Sequence, residues 1–242
     1  GAQYSYRNTA VYTDPSVFIL PLLVGGIVYL SWDSTREVKS EKTSSRIVPG
    51  ASMAELVLPD GTKVMLDREM NRALEEGVRN SGDTLNYTEV VSGGLQDSCE
   101  IYHTLRVPRG GEYTLVLADG TTVYLNAESE LRFPKQFRGK KRKVYLTGEG
   151  YFDVQRNEKQ PFIVEAQQVA IRVLGTSFGV RAYTREVNVL TTLVQGRVNV
   201  EADGQQVELN PGQQADFNRE NDRLTVAEVD VLIFLKEKLE KE

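Results

Sequence analysis

The only cysteine and the only histidine, Cys99 and His103, are the residues most able to support nucleophilic catalysis in this 242-residue chain. An imidazole activates a thiol only within hydrogen-bond reach, roughly 2.6–3.2 Å between heavy atoms. Residues 101–105 predict a strand, in which residues four apart lie about 13 Å apart along the axis. We therefore expect no catalytic pair. We also expect Cys99→Ser with His103→Gln to cost little more than about 1 kcal/mol of stability.

The sequence also lacks the sets of residues that other kinds of chemistry require. One cysteine allows no internal disulfide, and one histidine excludes a His-rich zinc site. The carboxylates are scattered and form no close pair of the kind that acid–base catalysis uses. The sequence thus predicts a protein that is not an enzyme and that holds no cofactor or metal.

The charge of the chain argues against a nucleic-acid partner. The net charge is -5, whereas phosphate contacts need clustered lysines and arginines. One basic cluster precedes the Gly148-Glu149 segment: Arg138, Lys140, Lys141, Arg142 and Lys143. We interpret it either as a solvated turn between strands or as a surface that attracts acidic lipid or an acidic partner.

Three segments predict β-hairpins. Residues 56–66, 115–125 and 198–209 each place Asp-Gly between two alternating apolar runs. Asp-Gly supplies the positive φ angles of a two-residue hairpin turn, so Gly120 is expected at positive φ, where a side chain is strained. Side chains alternate across a strand, so one apolar face forms the core. In the second hairpin that face comprises Leu115, Leu117, Val123 and Leu125.

A series of further blocks carries a family resemblance. Residues 107–113 (Val-Pro-Arg-Gly-Gly-Glu-Tyr) and 117–129 precede 142–154, which contains Gly-Glu-Gly-Tyr-Phe, and more blocks follow at 161–164, 173–180, 196–198 and 209–213. In this order and spacing the series, which covers residues 104–217, resembles the FecR family of membrane-spanning sigma-factor regulators. The resemblance implies signature positions with a structural role: Asp119, Gly120, Thr121, Leu125, Arg142, Gly148, Glu149, Tyr151, Phe152, Pro161, Phe162, Gly175, Thr176, Phe178, Gly196, Pro211 and Gly212.

The resemblance also implies an anti-sigma factor. In this family a periplasmic β domain relays the status of a TonB-dependent outer-membrane transducer, through the transducer's signalling domain, across the inner membrane to an extracytoplasmic-function sigma factor. The relay works by protein contact and regulated proteolysis. The sigma factor binds a cytoplasmic helical domain, which we expect to precede Gly1. Family members continue into a small C-terminal α/β domain, and we expect this chain to stop before it.

An uncharged run from Pro15 to Trp32 predicts one transmembrane helix. A span needs about 20 mostly apolar residues, within a range of about 17 to 25, and Tyr29 and Trp32 suit a membrane interface. A pair of buried strands is the alternative. The basic residues after the run, Arg36, Lys39, Lys42 and Arg46, favour the cytoplasm for that side. The resemblance implies the opposite orientation, which we adopt: a single-pass inner-membrane protein with its β domain in the periplasm.

The expected fold is all-β, with antiparallel hairpins stacked into two twisted sheets and with solenoid-like coiling. One transmembrane helix precedes it. Residues 1–14 are an N-terminal flank, 15–32 the helix, 33–46 a linker and 47–230 the β domain, in which 68–77 is expected to form a short helix. Residues 231–242 predict an amphipathic helix or the start of a further domain. A cupin-type double-stranded β-helix is the alternative architecture, but it would normally bring a His/Glu metal cluster.

The sequence is also compatible with a second function. In this alternative the chain is a membrane-tethered module that binds carbohydrate or the cell envelope. Such a site favours exposed aromatic residues near carboxylates. The candidates are Tyr124, Tyr145, Tyr151 and Tyr183, although several of them also fit ordinary strand positions.

Overall fold

The computed structural model describes residues 53–67, 69, 71–90 and 100–231, and every regular element assigned within them is a β-strand. The strands are β1 (Met53–Val57), β2 (Lys63–Asp67), β3 (Asn71–Glu75), β4 (Val78–Ser81), β5 (Thr84–Asn86), β6 (Tyr102–Val107), β7 (Tyr113–Val116), β8 (Thr122–Leu125), β9 (Ser129–Pro134), β10 (Arg142–Asp153), β11 (Phe162–Ala166), β12 (Val169–Val173), β13 (Ser177–Ala182), β14 (Asn188–Gln195), β15 (Val198–Ala202), β16 (Gln205–Leu209), β17 (Gln213–Asn218) and β18 (Arg223–Glu228). The all-β prediction is confirmed for this part of the chain.

The strands form one continuous curled sheet with two halves, which we call sheet I and sheet II. Sheet I has the order β2-β1-β6-β9-β10-β11-β12-β15-β16. Sheet II has the order β3-β4-β5-β7-β8-β10-β13-β14-β17-β18. From β11 onward, successive hairpins alternate between the halves.

Two strand pairs depart from the predicted antiparallel pattern. β10 pairs with β11 in parallel, and β5 pairs with β7 in parallel. Parallel neighbours need a connection that returns along the sheet. For the first pair, residues 154–161 supply that return, so β11 starts again beside the beginning of β10.

The strand β10 joins the two halves. Its first residues, Arg142–Leu146, pair with β11, whereas Gly148–Asp153 pair with β13. The change of sheet falls at Gly148, which has φ +97°, a conformation that side chains other than glycine's rarely tolerate. The strand keeps its inward and outward alternation through this bend, so both ends of β10 contribute to one core.

A single apolar core fills the space between the halves. It includes Leu115, Leu117, Val123 and Leu125, all at most 2% exposed, so the face predicted for the second hairpin is confirmed. At the centre the ring of Phe152 stacks on Phe178 with centroids 5.2 Å apart, and Phe162 lies 6.3 Å from Phe152. Aromatic pairs of this kind add about 0.5–1.5 kcal/mol beyond the area they bury.

The Asp-Gly turns differ from one another in length. In the second hairpin the backbone N–H of Leu117 donates to Thr121 and that of Gly120 donates to Leu117, both at 2.9 Å, which closes a three-residue loop. Only Gly120 takes positive φ there, +84°, as in a type I turn followed by a left-handed residue. The prediction for Gly120 is confirmed, but the predicted two-residue loop is wrong.

The side chain of Asp119 explains this longer loop. It accepts hydrogen bonds from the backbone N–H of Thr121 at 3.0 Å and from its hydroxyl at 2.7 Å, which favours the type I turn. The first hairpin repeats the arrangement with Asp60 and Thr62. In the third hairpin Asp203 and Gly204 both take positive φ in a two-residue loop, as predicted.

The predicted short helix at 68–77 is wrong. Residues Asn71–Glu75 form β3, which pairs with β4 across a turn at Glu76-Gly77. Gly77 has φ +76°, which suits a hairpin turn and not a helix interior. Pairing with β4 therefore overrides the weak helical preference of this segment.

Several predictions fall outside the described residues. They concern the flank 1–14, the span 15–32, the linker 33–46, nearly all of 231–242, and Cys99. The described residues contain no helix with the length and apolar character that a membrane crossing requires.

Candidate functional site

The buried side chain of Arg142 ties three segments together. Its guanidinium donates to the Asp119 carboxylate at 2.6 Å and to the backbone oxygens of Gln155 and Gln160 at 2.8 Å each. The side chain of Arg142 is only 1% exposed. Breaking a buried ion pair from one side leaves an uncompensated charge, so this contact locks the β7–β8 turn to the start of β10. Arg142 therefore does not belong to a solvated basic cluster.

A second signature position, Gly148, allows the chain to bend against β9. A Cβ at this position would lie 2.6 Å from the Cα of Ser129 and 2.5 Å from its Oγ. The Ser129 hydroxyl also accepts a hydrogen bond from the backbone N–H of Glu149 at 2.8 Å. Glycine is thus required both by the backbone angle and by the close approach of two strands.

Gly175, Thr176 and Gly196 hold the return loop after β10. A Cβ at Gly175 would lie 2.6 Å from the Cα of Arg156. The Thr176 carbonyl accepts from the backbone N–H of Val154 at 3.0 Å, and its hydroxyl donates to Arg197 at 3.0 Å. A Cβ at Gly196 would lie 2.9 Å from the Oγ1 of Thr176, so the three residues together fix the packing of this loop.

Charged side chains gather beside the bend, where Glu128 and Glu149 meet three arginines. We call this set the signature corner: Arg109, Glu128, Glu149, Arg181 and Arg185. Glu128 accepts from Arg109 at 2.9 Å and from Arg185 at 2.6 Å, and Arg181 lies 3.3 Å from Glu149. The hydrogen bond from Arg185, followed by that from Arg109, lowers the pKa of Glu128.

The ion pairs of the signature corner lie at the surface, where the side chains involved are 23–69% exposed. Exposed ion pairs contribute little to stability, about 0–1 kcal/mol, so exchanging one partner for another is cheap. Complementary charges guide orientation and association rate more than affinity. The sequence block around Arg109 was part of the family resemblance, but only the fold reveals that Arg109 lies beside Glu128 and Arg185.

A buried polar group that the sequence did not predict surrounds His103. The imidazole is 1% exposed, and its Nδ1 lies 2.7 Å from the hydroxyl of Tyr87, which is fully buried. Its Nε2 lies 4.0 Å from the carboxylate of Glu75, which pairs with Lys135 at 2.6 Å. Burial lowers the pKa of His103, while Glu75 opposes this and Lys135 adds to it. This burial could not be predicted from the sequence, and it raises the expected cost of replacing His103 by an apolar residue.

We expect the stability of the protein to fall as the pH drops through about 6.5. The ordinary pKa of histidine is 6.5, and that of folded His103 is lower, so the unfolded chain binds more protons in this range and the free energy of unfolding decreases. His103→Leu should abolish this dependence. At pH 7.5 it should also cost about 1–3 kcal/mol, because the Tyr87 hydroxyl loses its partner.

Urea unfolding at pH 7.5, 6.5 and 5.5 measures both effects. His103→Gln is the matched variant, since its side-chain oxygen can still accept from Tyr87 and it should lose the pH dependence at a smaller cost. Glu128 and Glu186 also have a lowered pKa, but from an ordinary value of 4.5, so their contribution is lost below this window. Equal pH slopes for the wild type and His103→Leu would contradict this account.

The four tyrosines proposed for a sugar site do not share one surface. Tyr124 and Tyr151 pair on the outer face of sheet II with ring centroids 6.2 Å apart. Tyr145 lies on the outer face of sheet I, 6.1 Å from the ring of Tyr102. Tyr183 is only 8% exposed, and its hydroxyl donates to the backbone oxygen of Ala127 at 2.9 Å. A single aromatic platform built from all four is therefore not formed.

No cluster of three or more histidine, cysteine, aspartate or glutamate side chains suited to a metal ion occurs in residues 53–67, 69, 71–90 and 100–231. The arrangement around β10 instead supplies rigid backbone contacts and a charged surface.

Comparisons with known proteins agree with the resemblance seen in the sequence. Residues 103–199 match the family described as FecR protein. Two crystal structures of a candidate anti-sigma factor from Parabacteroides distasonis, at 1.65 and 2.50 Å resolution, are each 33% identical to the chain with a TM-score of 0.53. Each match covers 55% of this chain and 64% of the solved chain, so this chain spans less than two thirds of those relatives. No curated protein shows a significant match.

Proposed function

Residues 103–199 match the family described as FecR protein, and from this match we propose that the chain is the sensing module of an anti-sigma factor. The family match is the observation that carries the proposal. The likeness to a candidate anti-sigma factor at 33% identity supports it. The module acts on an extracytoplasmic-function sigma factor through a cytoplasmic domain.

The module works by protein contact and without catalysis. The signature residues Arg142, Gly148 and Phe152 are occupied in holding the curled sheet together. The signature corner remains at the surface, where its ion pairs can be exchanged for those of a partner. This arrangement suits a rigid domain that binds a partner protein, and it does not suit an enzyme that binds a substrate in a pocket.

The partner on the input side is the signalling domain of a TonB-dependent outer-membrane transducer. The chain is anchored in the inner membrane by residues 15–32, and the β domain lies in the periplasm. The uncharged run from Pro15 to Trp32 supports the anchor. Docking of the transducer, followed by regulated proteolysis, passes the signal to the sigma factor.

Protease treatment of spheroplasts tests this placement. In cells that express the complete protein with a C-terminal tag, protease added outside the inner membrane should digest the β domain, because residues after Trp32 are exposed to the periplasm. A cytoplasmic protein serves as the control for intact spheroplasts. Full protection of the β domain, with digestion only after lysis, would reject the orientation.

A further inference from the structure

The outermost strands at one end of the curled sheet are β16 and β18. Among the described residues, β16 pairs only with β15 and β18 pairs only with β17. At their starts, the side chain of Gln205 donates to the backbone oxygen of Asp222 and accepts from the backbone N–H of Leu224. At their ends, the backbone N–H of Val229 donates to the oxygen of Gly212 at 2.8 Å. The two edge strands therefore run side by side in the same direction, with the core between them.

Apolar side chains on both edge strands point toward the core at this end. Leu224 and Val226 lie opposite buried residues of β17, and Val207 lies opposite a buried residue of β15, so all three face inward. Leu224 and Val207 pack against the core but are only partly buried, and Val226 is 41% exposed. The core therefore continues to its last strands without a cover of its own at this end.

An edge of this kind needs protection. The outer side of an edge strand presents backbone N–H and C=O groups that can pair with a strand of another chain, and proteins often cover such an edge with a helix or a loop. β18 contains no proline or lysine that would block pairing. A cover that is apolar on one face and polar on the other would satisfy the inward residues and still meet the solvent.

The segment that follows β18 has the position and the pattern of such a cover. Two residues connect β18 to Val231, the last described residue, whose backbone is helical. Residues 231–242 carry Leu232, Leu235 and Leu239, spaced three and four apart among lysines and glutamates. This spacing places the three leucines on one face of an α-helix.

The dimensions of such a helix match the open end. A helix over residues 231–242 would be about 18 Å long at 1.5 Å per residue, and the six residues of β18 span about 20 Å. With its side chains a helix is about 10–12 Å wide, which is close to the roughly 10 Å that separates two packed sheets. One helix is therefore long and wide enough to cover both edge strands.

The chain leaves β18 beside Gly212, at one corner of the open end. A turn back along the strands would lay the helix between the two edges. We propose that residues 231–242 dock across β16 and β18, with their leucines against Val207, Leu224 and Val226, and close the core. This contact is independent of the proposed anti-sigma role.

Tethering favours this segment over a second copy of the chain. A segment joined by a short linker acts at an effective concentration on the order of millimolar. A second copy reaches that concentration only in a very concentrated solution. Docking of residues 231–242 also covers the backbone edge of β18, so the closed form of the domain is expected to remain monomeric.

Isotope-filtered NMR of the 242-residue chain tests the contact directly. The methyl groups of Val226 and Leu224 should give nuclear Overhauser cross-peaks to methyl groups of the leucines in residues 231–242, within one molecule. A mixture of labelled and unlabelled chains identifies contacts between copies separately. Cross-peaks that arise only between copies, or the absence of any such cross-peak, would overturn the proposal.

A pair of variants and a matched control measure the effect of the cover. Leu235→Ser with Leu239→Ser removes most of the apolar face, and the β18 amides bonded to β17 should exchange with solvent about tenfold faster or more. Glu237→Ser with Lys241→Ser alters the opposite face at unchanged net charge and should exchange like the wild type. The amides of β11, inside sheet I, should keep their exchange rates in both variants and report an intact fold. Equal β18 exchange in the wild type and the leucine variant would contradict the docking, as would equal increases in both variants.

Discussion

Gly148→Ala is expected to destabilise the protein by about 2–6 kcal/mol, since two separate penalties act at this position. The residue has φ +97°, where a side chain costs roughly 1–3 kcal/mol. The new Cβ would also lie 2.6 Å from the Cα of Ser129, a backbone atom that cannot move without displacing β9. Overpacking of this kind adds about 1–3 kcal/mol.

Gly120→Ala is the matched control for this effect. Gly120 has a similar angle, φ +84°, but a Cβ there would meet no atom within 4 Å. We expect it to cost only the backbone strain, about 1–3 kcal/mol. Urea unfolding of the two variants and the wild type separates the cost of the close contact with Ser129 from the cost of the backbone strain. Equal losses for the two glycines would show that β10 does not bend against β9 as described.

Arg142→Met is expected to cost about 3–5 kcal/mol, because it leaves the Asp119 carboxylate without its buried partner. The two groups lie 2.6 Å apart, and their side chains are 1% and 14% exposed. Replacing both residues, by Arg142→Met with Asp119→Asn, should recover part of that loss, because the asparagine removes the unpaired charge while its side-chain oxygen can still accept from Thr121.

An exposed ion pair supplies the control for the buried one. Arg106 and Glu130 lie 2.6 Å apart, but their side chains are 47% and 42% exposed, so Arg106→Met should cost at most about 1 kcal/mol. Chemical unfolding of the single and double variants gives the coupling energies directly. A cost for Arg142→Met no larger than for Arg106→Met would contradict the locking role of Arg142.

The parts of the fold that could be predicted are those that short sequence patterns encode. Alternation of apolar residues identified the strands around Leu115 and Val123, and the Asp-Gly dipeptides identified hairpins at 60–61, 119–120 and 203–204. The length of the first two loops was wrong because the hydrogen bond from Thr121 to Asp119 favours a different turn type. The turn type therefore depends on the residue that follows Asp-Gly as well as on the dipeptide itself.

Features that depend on distant pairings could not be predicted. Tyr87 follows β5 and His103 lies in β6, and only the assembled sheet brings Tyr87 to His103. Arg142 looked like one member of a basic cluster, yet its strand parity turns it into the core toward Asp119. The hydrogen bond from Asn188 to Asp216 likewise depends on the register between β14 and β17. A linear reading contains none of these contacts, because the residues involved are 16 to 28 positions apart.

The most direct test of the proposed anti-sigma role is transcription from a reporter that depends on the extracytoplasmic-function sigma factor that the complete protein is proposed to regulate. Deleting the gene for the complete protein should change reporter output several-fold and abolish its response to the inducing signal. The complete protein should restore both, and so should its Glu201→Gln variant, which changes an exposed acid on β15, whereas Arg142→Met should behave like the deletion. Reporter output and induction that are the same with and without the gene would contradict the account.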